Sequence, residues 1–167
     1  LKLFWFEDQG AGVPCSVHSQ LPAGMSLSEI VGSKLIKADG TEVNFATLGD
    51  VKLFGIFFAS KEEPQCAAFL PVLESFYRTV NTESKRFEVI VCSCDRDKGG
   101  FSGSFASSAP WLAIPFGAKE LEEVLEVYEP PCVPTLTVVK PNGDVVVLEG
   151  DTEVSCGAAA FDKWAAK

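Results

Sequence analysis

The sequence predicts an α/β protein with a central mixed β-sheet, helices on both faces of the sheet and a β-hairpin at its N-terminal end. Two long apolar runs, 51–59 and 87–94, flank a segment with a helical apolar period, which is the pattern of a parallel βαβ unit. Two other segments, 34–45 and 135–148, each hold two strand-like runs joined by turn residues, and so predict antiparallel hairpins.

The N-terminal residues differ in composition from the rest. After an opening Leu-Lys-Leu-Phe-Trp-Phe, the chain up to residue 24 is rich in Gly, Pro, Ser and Gln. We expect 1–24 to be a loosely ordered extension and 25–167 to be one domain. The opening run is short and is followed by Glu7 and Asp8, which does not fit a signal peptide.

The first strands are expected between Lys34 and Ala59. Lys34–Lys37 and Glu42–Phe45 flank Asp39-Gly40, a dipeptide that supplies the positive φ angles of a tight hairpin turn. Val51–Ala59 is a near-continuous apolar run, which suits a strand covered on both faces.

A helix and a second buried strand follow. Pro64 suits a first helical position because its missing N–H costs nothing there, and apolar residues recur with a helical period from Cys66 to Val80. Pro71 should kink this helix. Phe87–Cys94 reads as the second buried strand.

The remainder of the chain supplies the other elements. They are a short helix or loop at 99–108, a buried but irregular segment at 109–116, an amphipathic helix at Lys119–Tyr128, strands at Thr135–Val139 and Val145–Leu148 around the turn Pro141-Asn142-Gly143-Asp144, and a last helix at Gly157–Lys167 with Phe161 and Trp164 facing inward.

Composition excludes several classes of function. The 14 Lys and Arg against 23 Asp and Glu give a net charge of −9, which repels phosphate backbones, so we expect no nucleic-acid partner. No apolar stretch reaches the roughly 18 residues of a membrane span. The six cysteines lie mostly in apolar or strand-like runs, which favours reduced thiols and a cytoplasmic location. We also expect a monomer.

Four segments form an ordered set of motifs. They are Phe57-Phe58-Ala59-Ser60 with Pro64-x-Cys66-x-x-Phe69-x-Pro71-Val72-Leu73, then Phe87-Glu88-Val89-Ile90 leading to Asp95, then Pro110-Trp111-Leu112-Ala113-Ile114-Pro115-Phe116, and finally Val133-Pro134-Thr135-Leu136. Together they resemble the tryparedoxins and nucleoredoxins of the thioredoxin superfamily. The resemblance covers residues 33–167 and implies a thioredoxin-like fold with a cis-proline, Pro134, beside the active site.

The chain departs from the family at the redox motif, Trp-Cys-Pro-Pro-Cys. Cys66 lies five residues before Pro71 and so matches the second, resolving cysteine, whereas Glu63 replaces the nucleophilic cysteine. The motif tryptophan is absent, and the loop before Pro64 is one residue longer than the family's. The resemblance further implies a substrate groove formed by Val133, Pro64 and Gln65 beside Pro134.

These departures change the expected chemistry. Dithiol exchange needs a thiolate that attacks and a neighbour that resolves the mixed disulfide. Glu63 cannot form a disulfide, and its charge opposes ionisation of a nearby thiol, so we expect Cys66 to be a poor nucleophile. The first hypothesis is a redox-inactive or weakly active module of thiol metabolism that binds disulfide or thiol proteins at the groove beside Pro134.

The alternative is an active thiol-disulfide oxidoreductase. It would use Cys66 as a monothiol, or pair Cys66 with Cys132 or Cys94, to reduce disulfide proteins or peroxidases. The three thiols could equally be packed as small hydrophobes. A third hypothesis is a structural subunit of a larger assembly.

No bound cofactor and no metal site are expected. The chain has no Cys-x-x-Cys motif, and its one histidine, His18, lies in the extension. The resemblance implies trypanothione or glutathione as the electron donor.

Overall fold

The computed structural model describes residues 25–99, 101 and 110–167. The expected extension 1–24, with Cys15 and His18, lies outside these residues, as does most of the segment 99–108. Within the described part of the chain, no helix is long and apolar enough to cross a membrane.

Seven strands form one mixed sheet. They are β1 (Lys34–Ile36), β2 (Glu42–Asn44), β3 (Leu53–Ala59), β4 (Phe87–Ser93), β5 (Leu112–Ala113), β6 (Thr135–Val139) and β7 (Val145–Val147). Their order across the sheet is β2-β1-β5-β4-β3-β6-β7. The central strands β3, β4 and β5 run parallel, and the flanking strands pair antiparallel. The mixed sheet and the α/β class are therefore confirmed.

Four helices pack on this sheet in the described residues. They are α1 (Leu27–Ile30), α2 (Pro64–Val80), α3 (Glu120–Tyr128) and α4 (Ala158–Ala165). Helix α2 begins at Pro64 as predicted and continues through Pro71 as one element. Short 3₁₀ turns cover Phe45–Leu48, Gly150–Thr152 and Val154–Cys156.

The sheet separates two apolar layers, because successive side chains of a strand point to opposite faces. The α2 layer contains Leu53, Phe57, Cys66, Leu73, Phe76, Phe87, Trp111, Phe161 and Trp164. The α3 layer contains Leu35, Phe54, Ile56, Phe58, Ile90, Cys92, Val124 and Tyr128. Helices cover both faces, as the sequence predicted, and Phe161 and Trp164 do face inward.

Two details differ from the expectations. In the first hairpin only Gly40 has a positive φ, at 82°, because the turn is wider than two residues and the Gly40 N–H donates to the Lys37 carbonyl at 2.9 Å. The segment 109–116, expected to be irregular, contains β5, which pairs with Ile90 and Val91 on one side and with Ile36 on the other. The strand is only two residues long because Pro110 and Pro115, which have no N–H to donate, lie close to either side of it.

Candidate functional site

The candidate site lies where three strand ends meet. Since β3 and β4 are parallel, their carboxyl ends lie at the same edge of the sheet. Strand β6 is antiparallel to β3 and begins there, with Thr135 opposite Phe58. The start of α2, the end of β4 and the loop before β6 therefore converge, as the resemblance implied.

The loop between β3 and α2 forms a turn that absorbs its extra residue. The Glu63 N–H donates to the Ser60 carbonyl at 3.3 Å, and the Glu62 N–H donates to Ser60 Oγ at 3.2 Å. Glu63 is the N-cap of α2, and its Oε1 accepts from the Gln65 N–H at 3.3 Å. Cys66 is consequently the third residue of α2.

Asp95 connects this loop to the end of β4. Its Oδ1 accepts from Ser60 Oγ at 2.9 Å and from the Lys61 N–H at 2.8 Å, and its Oδ2 accepts from Ser93 Oγ at 2.8 Å. The sequence analysis included Asp95 and Ser60 in motifs but did not link them, and it missed Ser93. The position of the two serines at the ends of two neighbouring parallel strands was the signal that could have identified these contacts.

The Cys66 thiol is buried behind this loop. Cys66 is 4% exposed, and its Sγ accepts from the Ser60 N–H at 3.4 Å. Burial raises the pKa of Cys66, and the charges of Glu63 and Asp95 raise it further, while the Ser60 N–H acts in the opposite direction. The environment therefore disfavours the thiolate that an attacking cysteine needs.

The other described cysteines, Cys92, Cys94, Cys132 and Cys156, are also free thiols. Cys94 packs against the α3 layer, whereas Cys66 belongs to the α2 layer. Burial, with the charge of Asp95, raises the pKa of Cys94 to about 11. Cys132 is exposed, and its Sγ lies 3.7 Å from Thr135 Oγ. All three of Cys66, Cys94 and Cys132 lie at this edge, and charge on Cys132 adds to the rise in the pKa of Cys66.

The predicted groove residues lie near the start of α2 but do not line the small pocket found there. The Val133–Pro134 peptide bond is cis, and Val133 packs against the α2 layer. Pro64 and Gln65 are exposed at the start of α2. A pocket of about 70 Å³ lies between the end of β3 and the first turns of α2, lined by Phe57, Ala59, Ser60, Lys61, Cys66, Ala67 and Leu70.

Trp111, from the motif Pro110–Phe116, has a structural explanation. Trp111 is 1% exposed and packs edge-on against Tyr77, with ring centroids 6.2 Å apart, so it is a core residue. Across residues 25–99, 101 and 110–167, no cluster of three or more His, Cys, Asp or Glu side chains is placed to hold a metal ion.

Comparison with known proteins identifies similar chains. A family model described as thioredoxin-like matches residues 50–145. The probable nucleoredoxin 2 of Oryza sativa subsp. japonica is 36% identical over 127 residues, which are 74% of this chain and 31% of that protein. The chain thus spans about a third of the length of the curated relatives it matches.

Solved structures share the fold over nearly their full length. Tryparedoxin I from Crithidia fasciculata superposes with a TM-score of 0.68 at 33% identity, covering 77% of this chain and 89% of that one. A tryparedoxin II complexed with glutathionylspermidine has a TM-score of 0.68 at 27% identity, covering 78% of this chain and 90% of that one.

Proposed function

The chain belongs to the thioredoxin-like family as a nucleoredoxin- and tryparedoxin-like member, and from that premise we propose that it binds disulfide or thiol proteins beside Pro134 without reducing them at an appreciable rate. One observation carries the proposal. Glu63, a carboxylate, is the N-cap of α2, at the position that matches the attacking cysteine of the family motif. A carboxylate cannot form the mixed disulfide with which exchange begins.

The remaining motif cysteine does not replace that lost thiol. Cys66 is buried, and its raised pKa keeps it in the unreactive thiol form at neutral pH. A monothiol reaction at Cys66 would also require the partner disulfide to reach past the Ser60–Glu63 turn. These features support slow chemistry at Cys66.

The exposure of the predicted groove residues, by contrast, supports binding. Pro64 and Gln65 are exposed on one side of the groove, and the half-buried Val133 and Pro134 form the other. The helix start beside them keeps its regular geometry despite the longer loop. The groove can therefore present the same kind of surface to a partner polypeptide whether or not a redox reaction follows.

The active oxidoreductase remains the second candidate, and one observation favours it. Cys132 is an exposed thiol in the loop before β6, at the same edge of the sheet as Cys66. Glutathione or trypanothione would be the electron donor, and the glutathionylspermidine bound to the related tryparedoxin II supports a donor of this class.

We also place the protein in the cytoplasm, as a monomer with no nucleic-acid partner and no bound cofactor. The net charge of −9 supports the exclusion of nucleic acid. The free thiols of the five described cysteines support a reducing compartment.

Insulin reduction coupled to dithiothreitol tests the chemistry. The native protein should not accelerate the reaction beyond dithiothreitol alone, whereas Glu63→Cys should raise the rate about tenfold or more, because a thiol at a helix N-terminus ionises readily. Glu62→Cys, one residue outside the motif, is the matched control. A native rate equal to that of Glu63→Cys would refute the proposal.

Binding is measured separately, with insulin as the disulfide-containing probe. Titration of the isotope-labelled, reduced protein should shift the amide NMR signals of Val133 and Gln65. The signals of Asp162 and Lys163, on the exposed side of α4, should stay in place. Unchanged signals at Val133 and Gln65 would show that the groove does not bind this class of partner.

A further inference from the structure

We propose that the protein binds a small amphipathic organic anion, an apolar chain or ring that carries a carboxylate or sulfonate group, in a pocket at the opposite end of the sheet from the candidate site. The pocket has a volume of about 300 Å³, which is at the lower end of the range for sites that bind small molecules. It is separate from the groove beside Pro134, so the inference does not depend on the proposed function.

The strand directions explain where the pocket lies. Val51 precedes β3, Lys85 precedes β4 and Pro110 precedes β5, so these three pocket residues lie at the amino ends of the parallel strands. Lys37 follows β1, which is antiparallel to β5 and therefore ends at the same edge. The candidate site lies at the carboxyl ends of the same parallel strands, on the other edge of the sheet.

The apolar residues of the pocket belong mainly to the α3 layer. Three are buried in that layer and one, from β2, packs against it while half-exposed: Leu48, Val51, Leu112 and Val43. An alkyl chain or an aromatic ring that covers these side chains removes apolar surface from water, which is favourable, whereas a small hydrated ion gains nothing from them. The walls therefore select a ligand with an apolar body.

The polar residues of the pocket select the charge of that ligand. They are Lys37, Lys85, Asp50 and Thr47, and all four are exposed. Two ammonium groups against one carboxylate favour an anionic head group over a cationic one. Neither Lys37 nor Asp50 forms an ion pair within 25–99, 101 and 110–167, so Lys37 is available to a ligand.

The second lysine, Lys85, already has a partner inside the protein. Its ammonium pairs with Oε2 of Glu88, which is fully buried and whose Oε1 accepts from the Tyr77 hydroxyl at 3.2 Å. Lys85 and Tyr77 are thus the charged or titratable groups that contact Glu88, and the pocket adds Lys37 and Asp50. An anion in the pocket and an ionised Glu88 compete for Lys85.

Protonation of Glu88 removes this competition. Burial raises the pKa of Glu88, so the carboxyl takes up a proton more readily than an exposed glutamate does. The Lys85 ammonium then has no charged partner within the protein and can pair with the ligand. Binding of the anion should therefore weaken as the pH rises and Glu88 ionises.

Octane-1-sulfonate, which stays anionic at any pH used here, is the probe of the site. Titrated into the protein and followed by NMR, it should saturate a single site and shift the signals of Leu48, Val51 and Leu112. Val72 is the internal control, because it lies in a larger pocket of about 410 Å³ whose described lining residues carry no charge. Octylammonium, with the same apolar chain and the opposite charge, should bind at least about threefold more weakly. Failure to saturate, equal shifts at Val72, or equal binding of the two probes overturns the proposal.

Substitutions at the rim test the lysines. Lys37→Gln should weaken the binding of octane-1-sulfonate about two- to fivefold, because it removes one exposed charge. Lys34→Gln is the matched control, since Lys34 is an exposed lysine of β1 that pairs with Glu42 and does not line the pocket. Native affinity in Lys37→Gln overturns the assignment of the head-group site.

Glu88→Gln tests the competition for Lys85. At about pH 8 this variant should bind octane-1-sulfonate more tightly than the native protein, because a neutral amide does not compete for the Lys85 charge. The difference in affinity should shrink as the pH falls toward the ordinary glutamate pKa of 4.5, where the native carboxyl also becomes neutral. Equal affinity of the two proteins at the higher pH would show that Lys85 does not bind the anion.

Discussion

The Cys66 side chain is subject to opposing effects. A position in the first turn of a helix favours a thiolate, since the unpaired N–H groups there attract negative charge. Burial and the carboxylates of Glu63 and Asp95 act against it, and the net result is a raised pKa. For the Cys66 thiol, burial and the two carboxylates therefore outweigh the favourable effect of the helix N-terminus.

Alkylation rates should reflect this balance. With iodoacetamide at neutral pH, Cys66 should react at least about tenfold more slowly than the exposed Cys132 and Cys156, because both its burial and its raised pKa lower the reactive thiolate fraction. Timed quenching followed by peptide mapping gives the rate at each site. Modification of Cys66 as fast as Cys132 would contradict this expectation.

A second residue, Glu88, is buried far along β4 from the site. Its Oε1 accepts from the Tyr77 hydroxyl at 3.2 Å and from the Val89 N–H at 3.0 Å, and its Oε2 pairs with Lys85. Burial raises the pKa of Glu88 although Lys85 acts in the opposite direction. The Glu88 carboxyl therefore holds its proton more tightly in the folded protein than in the unfolded chain.

This difference predicts a pH dependence of stability. The contribution of Glu88 to the unfolding free energy is complete below the ordinary pKa of 4.5 and is lost as the pH rises through the higher folded-state pKa. Measured by urea denaturation, the native protein should therefore lose stability relative to Glu88→Gln as the pH rises above about 4.5. The amide oxygen of glutamine can still accept from Tyr77 and Val89.

Glu74→Gln is the matched control. Glu74 pairs with Arg78 on the surface of α2, where solvent screens the pair. The unfolding free energy of the native protein minus that of Glu88→Gln should fall as the pH rises. If this difference stays constant or grows with pH, Glu88 does not titrate as proposed.

At the scale of elements, Asp95 is the connection between β4 and the turn before α2. Asp95→Ala would leave the Ser60 hydroxyl, the Lys61 N–H and the Ser93 hydroxyl without this acceptor. Because the two serine hydroxyls lie in partly buried positions, where an unmet hydrogen-bonding group is costly, we expect a loss of roughly 1–3 kcal/mol of unfolding free energy. Urea denaturation measures the loss.

Asp95→Asn separates the hydrogen bonds from the charge. It keeps one acceptor oxygen and so should lose less stability than Asp95→Ala, while removing the negative charge that raises the pKa of Cys66. Asp95→Ala with native stability would show that the carboxylate does not hold the turn in place.

The elements themselves differ in how far sequence alone predicts them. The long apolar runs of β3 and β4 and the proline at the start of α2 act locally, so their patterns predict the elements. Strand β5 is two residues long and exists because β1 and β4 pair with both of its sides, which no local pattern encodes. The contacts of Asp95 likewise join segments more than thirty residues apart in the chain.

The candidate site was predictable to a similar extent. The family resemblance placed Cys66, Glu63 and Pro134 together at the site, and the parallel strands predicted the sheet edge on which α2 begins. The face on which each thiol packs was not predictable, since Cys94 follows the last residue of β4 and its direction depends on how the chain leaves the strand.

At the scale of the whole molecule, the two apolar layers depend on the same strands. Strands β3, β4 and β6 contribute alternate residues to the α2 layer and to the α3 layer, so neither layer can persist once the sheet separates. Domains of this size usually unfold in one cooperative step. A substitution that destabilises either layer should therefore lower the midpoint of the same unfolding transition.

Two matched substitutions test this coupling. Leu35 in the α3 layer and Leu73 in the α2 layer are both fully buried, and replacing either with alanine should cost about 2–5 kcal/mol. In a Trp5→Phe background, tryptophan fluorescence reports only Trp111 and Trp164 of the α2 layer. Leu35→Ala should nevertheless shift the fluorescence midpoint in urea as far as it shifts the circular dichroism midpoint. A fluorescence transition that stays in place while the circular dichroism transition moves would mean that the layers unfold independently.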